Sequence, residues 1–154
     1  MLLLVPARSY RAADFMLAVA KMGLDPTVAS DGALPVGGRP VIPVHRGDPD
    51  HAAVQIISAS GPVDAVIAVD APMLLLAATV AARLGLPHNP AAAVLAASDK
   101  TRQRQLWAAA GVPQPRFAIV PAHAGAGAVR QAAAATGFPC VVKAVSLSAS
   151  QGVL

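Results

Sequence analysis

The 154-residue sequence predicts an α/β fold built on a parallel, Rossmann-like sheet. Three observations lead to this prediction. Short apolar runs alternate with segments of helical spacing, which is the order that parallel strands with helical crossovers produce. The apolar runs are continuous, as expected for strands covered on both faces. Hydrophobic residues make up 55% of the chain and charged residues 13%, so a buried core forms easily.

The first half of the chain contains four predicted strands and three predicted helices. The strands cover residues 2–5, 27–29, 41–44 and 65–69, and the helices cover residues 10–22, 51–58 and 72–84. Pro43 places the third strand at an edge, because proline has no N–H for the ladder. Asp48 and Pro49 form a typical helix start, as N-cap and first helical residue. The sequence therefore predicts a first domain over residues 1–90.

The second half contains three predicted helices and two predicted strands. The helices cover residues 90–97, 99–110 and 128–136, the strands cover 117–120 and 140–145, and a loop of small residues follows over 146–152. A Gly-x-Pro sequence ends a helix three times, at Gly85, Gly111 and Gly137. We assign residues 91–154 to the beginning of a second domain.

Composition excludes several classes of protein. The single cysteine, Cys140, excludes an internal disulfide framework and fits a reducing compartment. The apolar start lacks a basic region, and the apolar stretch 71–82 is too short to span a membrane, so we expect a cytoplasmic protein without a membrane partner. Basic residues are scattered without interleaved aromatics, which argues against nucleic acid. The four histidines lack metal-ligand spacing.

The turns after the strands are candidate binding sites. Residues 6–10 follow the first strand without a glycine, which excludes a classical dinucleotide site there. Asp70 follows the fourth strand, where it either lines a substrate crevice at the carboxyl edge of the sheet or caps the next helix. We prefer the cap.

Lys100 stands in the first turn of a predicted helix, directly after the candidate N-cap Asp99. A lysine at this position opposes the helix dipole. One interpretation is a solvated surface lysine. The other is an anion held by both the helix N-terminus and the ammonium group. Arg104 and Trp107 follow on the same helix face.

Lys143 lies inside the apolar stretch 140–145. An ammonium group buried there needs a negative partner, whereas on a solvated face it would reach water. The loop 146–152 offers hydroxyls and free amides, which suit a phosphate-covering loop but are equally typical of a plain turn. The chain has nine arginines and only three lysines, and Lys100 and Lys143 are two of the three. Lysine is common at phosphates, so this placement favours phosphate binding.

Four segments resemble the ATP-grasp superfamily. They are residues 99–106 (DKTRQRQL), 110–115 (AGVPQP), 137–143 (GFPCVVK) and the Ser/Gly loop that ends at Gly152. Their order and spacing match the family from about Pro87 onward, and before that the resemblance rests on topology. It implies a pre-ATP-grasp domain over 1–90 and the start of an α+β ATP-grasp domain over 91–154.

The resemblance also implies a ligand and a reaction. It assigns contacts with the ATP phosphates to Lys100, Lys143, Ser148, Ser150 and Gly152, the last three in the covering loop. The family reaction activates a carboxylate by phosphoryl transfer from MgATP, and an amine or another nucleophile then attacks the acyl phosphate. The implied partners are therefore a small-molecule carboxylate and an amine.

Magnesium ligands in this family are late Glu and Asn or Asp residues, and this chain contains no Glu. We therefore expect the Mg²⁺ ligands in a missing portion, no metal-binding or catalytic residue in this chain, and no ligase activity from it alone. The end of the sequence, a predicted strand and a loop, also predicts a truncated product. Homo-oligomer formation stays open, since an unpaired strand edge favours association.

A second hypothesis belongs to another class of protein. The chain would be a non-catalytic Rossmann-like domain that binds a ligand or a partner chain. The substitution Lys143→Ala separates the two hypotheses: a full-length ligase would lose ATP use, whereas a binding domain would be unaffected.

Overall fold

The computed structural model describes residues 1–34, 38–147 and 151–154. The chain divides into two compact units, Met1–Leu95 and Ala96–Leu154. In the described part of the chain, no helix combines the length and the apolar character that crossing a membrane requires.

The first unit is built on a four-stranded parallel sheet. Its strands are β1 (Leu2–Val5), β2 (Thr27–Ser30), β3 (Val41–Pro43) and β4 (Val66–Ala68). Its helices are α1 (Ala12–Lys21), α2 (Pro49–Ser60) and α3 (Leu74–Arg83), and a 3₁₀ turn over Ala71–Met73 leads into α3. The strand order is β3-β2-β1-β4. The predicted α/β fold with a parallel sheet is confirmed.

Strand β1 lies inside the sheet and is buried on both faces, as its continuous apolar run predicts. On one face, Leu2 and Leu4 pack in a core cluster with Ile56 of α2 and Val80 of α3. On the other face lies a second cluster. Its buried members are Leu3, Val5, Val19, Val28 and Val69. Helices α2 and α3 therefore cover one face of the sheet and α1 covers the other.

Two local predictions in this unit are confirmed. Asp48 caps α2, since its carboxylate accepts a hydrogen bond from the His51 N–H at 3.0 Å, with Pro49 as the first helical residue. Pro43 lies in β3, which forms an edge of the sheet. Proline is tolerated there because an edge strand needs N–H groups on only one side.

The second unit contains helices and an isolated β-bridge as its described regular structure. Helix α4 (Ala91–Ser98) reaches into it, and α5 (Lys100–Ala109) and α6 (Ala126–Thr136) lie within it. Asp99 caps α5 by accepting a hydrogen bond from the Arg102 N–H at 2.9 Å.

The predicted strands 117–120 and 140–145 are wrong. Residues 117–120 form no strand, and in 140–145 the structure has only an isolated antiparallel bridge between Lys143 and Val153. A strand is defined by hydrogen-bonded neighbours, and within the described residues of this unit no longer ladder is available to these segments. Their apolar side chains stay exposed, for example Val141 at 62% and Ile119 at 47%.

Candidate functional site

The carboxyl edge of the sheet carries a polar cluster in the first unit. Asp70 occupies the N-cap position of the 3₁₀ turn, but its carboxylate makes no capping hydrogen bond. It accepts a hydrogen bond from the Ser9 hydroxyl instead and lies 3.8 Å from Arg11 Nε. The predicted capping role of Asp70 is therefore wrong, because the loop after β1 supplies a donor and a cation that compete for the carboxylate.

Asp31 follows β2 at the same edge. It accepts hydrogen bonds from the Ala7 N–H at 2.8 Å and from Arg46 at 2.5 Å. Partial burial raises the pKa of Asp31, but these hydrogen bonds and the Arg46 charge outweigh it and hold the pKa below its usual value. The carboxylate therefore ties the loop after β1 to the end of β3.

Lys100 begins α5 and is partly buried. Its ammonium group donates hydrogen bonds to the carbonyl oxygens of Leu147 at 2.6 Å and Val145 at 3.3 Å. Its backbone N–H donates to Val145 as well, at 3.2 Å. The carbonyl oxygens offset the unfavourable position of the cation in the first turn of the helix.

Lys143 is exposed and makes no ion pair or side-chain hydrogen bond with any other residue in the described ranges. Only its backbone takes part in the bridge to Val153. The sequence predicted a negative partner for Lys143 only if its ammonium group were buried, and this residue is exposed. The exposed position leaves the charge available to a ligand.

Both lysines line one open cavity of about 890 Å³ within the second unit. Its volume lies in the range of ordinary small-molecule sites. Two arginines, Arg104 and Arg116, join the lysines in its lining. No acidic residue of the described chain lines this cavity. The arrangement suits a ligand with several negative charges.

The two arginines are held in different ways. The Arg104 guanidinium lies 5.6 Å from the ring centroid of Trp107 and 5.9 Å from that of Phe117, and it donates to the side-chain Oε1 of Gln114 at 3.3 Å. The Arg116 guanidinium packs against Gly137: an added Cβ there would lie 2.7 Å from Arg116 Nη2, so the guanidinium would have to shift. Within the described ranges, Arg116 makes no side-chain hydrogen bond or ion pair.

Sequence reasoning did not select Arg116 as a site residue. A count of charge by unit would have indicated that the second unit is basic, but it does not distinguish Arg116 from Arg102 and Arg130, which do not line the cavity. Residues 96–154 contain six basic residues and one acidic residue, a formal net charge of +5, whereas residues 1–95 contain six basic and seven acidic residues. The net charge of +4 for the whole chain conceals this separation.

The other three predicted phosphate contacts lie in the loop that follows Lys143. Ser148 and Ser150 lie outside the described residues. Gly152 has a positive φ of 62°, and an added Cβ there would lie 3.0 Å from the Ala144 Cβ. Backbone geometry and space therefore favour glycine at this position, independently of any ligand.

No protein-family model matches the sequence. A D-alanine–D-alanine ligase from Xylella fastidiosa is 42% identical over 55 residues, which are 36% of this chain and 18% of that protein.

Solved structures match over much more of the chain. An L-amino acid ligase from Bacillus licheniformis matches 76% of it with a TM-score of 0.61 and 21% identity. An N5-carboxyaminoimidazole ribonucleotide synthetase from Thermus thermophilus matches 99% of it, with a TM-score of 0.63 and 19% identity. The chain has the fold of the N-terminal part of the ATP-grasp ligases. A phosphoribosylglycinamide synthetase from Anaerococcus prevotii shares this ATP-grasp likeness, over 95% of the chain with a TM-score of 0.59 and 15% identity.

The chain spans less than half of each of these ATP-grasp structures. It covers 32% of the L-amino acid ligase, 42% of the ribonucleotide synthetase and 37% of the phosphoribosylglycinamide synthetase. The identities of 15–21% show a common fold and leave the activity to be argued from the residues themselves.

Proposed function

We propose that this chain is the N-terminal, phosphate-binding part of an ATP-dependent ligase of the carboxylate–amine type. In such a ligase the γ-phosphoryl group of ATP activates a carboxylate, and an amine attacks the acyl phosphate. The observation that carries the proposal is the cavity in the second unit, where Lys100 and Lys143 stand with two arginines and no acidic residue of the described chain.

The polyphosphate chain of ATP fits this cavity by charge. Four cations around one cavity repel one another, and a polyanion between them relieves that repulsion. Lys143 supports the proposal because its ammonium group is exposed and has no ion pair in the described chain. Catalysis of phosphoryl transfer consists mostly of positioning and of stabilising charge. Residues that hold the phosphates therefore contribute to the reaction even when they transfer no proton.

Magnesium bound with ATP would neutralise the charge that develops on the phosphates. Within the described ranges, no three His, Cys, Asp or Glu side chains are grouped closely enough to hold a metal ion. The sequence also contains no Glu. The residues present thus fit the phosphates but not the metal. We assign the Mg²⁺ ligands, and the contacts with the carboxylate and the amine, to a region of the ligase outside these residues.

Calorimetric titration of the 154-residue chain with ATP, inorganic triphosphate and AMP tests the proposal. ATP and triphosphate should bind with similar dissociation constants at low ionic strength, and both should weaken as salt is added. AMP should bind much more weakly, because it lacks the polyphosphate that the cations recognise.

The same sample, supplied with MgATP, amino acids and other candidate carboxylates, should release no ADP. Turnover by a homogeneous preparation would show that the metal and catalytic groups lie within the chain. Absence of triphosphate binding at low salt would refute the phosphate site and favour a non-catalytic binding domain.

A further inference from the structure

The two lysines of the cavity differ in what their ammonium groups contact. Lys143 makes no side-chain hydrogen bond within the described ranges, whereas Lys100 donates to the carbonyl oxygens of Val145 and Leu147. Among the described side chains, Lys100 alone donates hydrogen bonds to these two residues. The same side chain therefore lines the cavity and holds the main chain at the start of the loop.

The base of the loop is a short antiparallel pairing. Val142 and Leu154 exchange two backbone hydrogen bonds of 2.9 Å, and the Ala144 N–H donates to the Gly152 carbonyl oxygen at 2.9 Å. Val145 follows directly and accepts hydrogen bonds from both the backbone and the side chain of Lys100. Among the described contacts, release of the Lys100 ammonium group would leave the loop start held by this pairing and by the backbone bond from position 100 to Val145.

An ammonium group has three N–H donors. In Lys100, two of them are taken by carbonyl oxygens, and the third is available to a ligand in the cavity. We propose that Lys100 is a positioning residue that joins a bound phosphate group to the main chain at Val145 and Leu147, where the loop starts, so that phosphate binding and the order of these two residues strengthen each other. This inference rests on the proposed phosphate site and adds a division of labour: Lys143 binds the ligand, and Lys100 couples the ligand to the loop.

Such coupling is reciprocal by thermodynamic necessity. A phosphate oxygen on the ammonium group restricts Lys100, so its bonds to Val145 and Leu147 open less often. An anchored loop start in turn keeps the ammonium group in the cavity and raises phosphate affinity. A lysine that served only as a point charge would show neither effect.

Amide hydrogen exchange, followed by NMR on the 154-residue chain, tests this coupling with inorganic triphosphate as the probe. The reporter amides are those of Ala144 and of position 100, which donate to Gly152 and Val145. Saturating triphosphate should slow exchange of both in the wild-type chain by about fivefold, the change expected for one hydrogen bond of ordinary strength. In Lys100→Met, both amides should exchange about fivefold faster without ligand, and triphosphate should no longer slow them.

The matched control is Lys143→Met, which removes a cavity cation that has no bond to the loop. Without ligand, the reporter amides of this variant should exchange at the wild-type rate. Because the variant binds triphosphate more weakly, a higher concentration is needed for saturation, and at that concentration triphosphate should still slow the exchange of both amides. Trp107 fluorescence checks that the second unit stays folded in each variant.

Three outcomes overturn the inference. If wild-type chain binds triphosphate but the reporter amides do not respond, the coupling is absent while the phosphate site stands. Equal exchange in Lys100→Met and wild type without ligand would remove the anchoring role. If wild-type chain binds no triphosphate, both the coupling and the proposed function fail.

Discussion

Replacement of Lys143 by methionine tests the phosphate site with little effect on the fold. Lys143 is exposed and makes no side-chain hydrogen bond or ion pair with the described chain, so the free energy of unfolding should change by less than about 0.5 kcal/mol. Two unit charges 4 Å apart interact by about 1 kcal/mol in water and about 4 kcal/mol near a protein surface. The exposure of Lys143 favours the lower end of this range. We expect a loss of about 1–2 kcal/mol in the free energy of triphosphate binding, which corresponds to a dissociation constant roughly five- to thirtyfold higher.

Calorimetric titration with triphosphate measures the affinity, and urea denaturation measures the stability. Lys21→Met is the matched control, because Lys21 ends α1 in the first unit and should not contribute to the cavity. Equal affinities of Lys143→Met and wild type would refute the charge argument. A loss of more than about 2 kcal/mol in the free energy of unfolding would instead show that Lys143 is a structural residue.

Two further predictions concern the first unit. Leu4→Ala removes a fully buried side chain from the central strand and should lower the free energy of unfolding by about 2–5 kcal/mol, measured by urea denaturation. The control Leu17→Ala, at a position 60% exposed, should change this free energy by less than about 0.5 kcal/mol. Asp31 has a lowered pKa, so its ionised form stabilises the fold above the unfolded pKa near 4, and this contribution is lost as pH falls through the folded pKa. Asp31→Asn should therefore cost about 1 kcal/mol at pH 7, and the difference from wild type should shrink below about pH 4; a difference independent of pH would contradict this assignment.

The first unit could be predicted from sequence because its local signals agree with its packing. The continuous apolar run of β1 requires burial on both faces, and α1 and α2 lie on opposite sides of the sheet to provide it. Asp48 and Pro49 mark a helix start that needs no tertiary partner. Asp70 was the exception, because the choice between a cap and a distant hydroxyl depends on where Ser9 lies in space.

The second unit was predicted less well, because strands depend on neighbours that the sequence pattern does not specify. Residues 117–120 and 140–145 are apolar enough for strands, yet their side chains remain exposed. Helix α5 was predicted correctly because its cap, Asp99, acts within one turn of the chain. In the candidate site, the sequence indicated both lysines that line the cavity. It did not indicate Arg116, because the fold brings this residue beside Gly137 through contacts between segments that are distant in the chain.

The proline in β3 has a consequence for self-association. The Val44 N–H donates to Ser30 of β2, so the N–H groups of odd-numbered residues in β3 point away from the sheet. At position 43 that outward donor is missing, because the residue is proline. A further strand approaching this side would lose a central hydrogen bond and meet the pyrrolidine ring. Pro43 thus protects this side of the sheet against fibril-like stacking of one chain on the next.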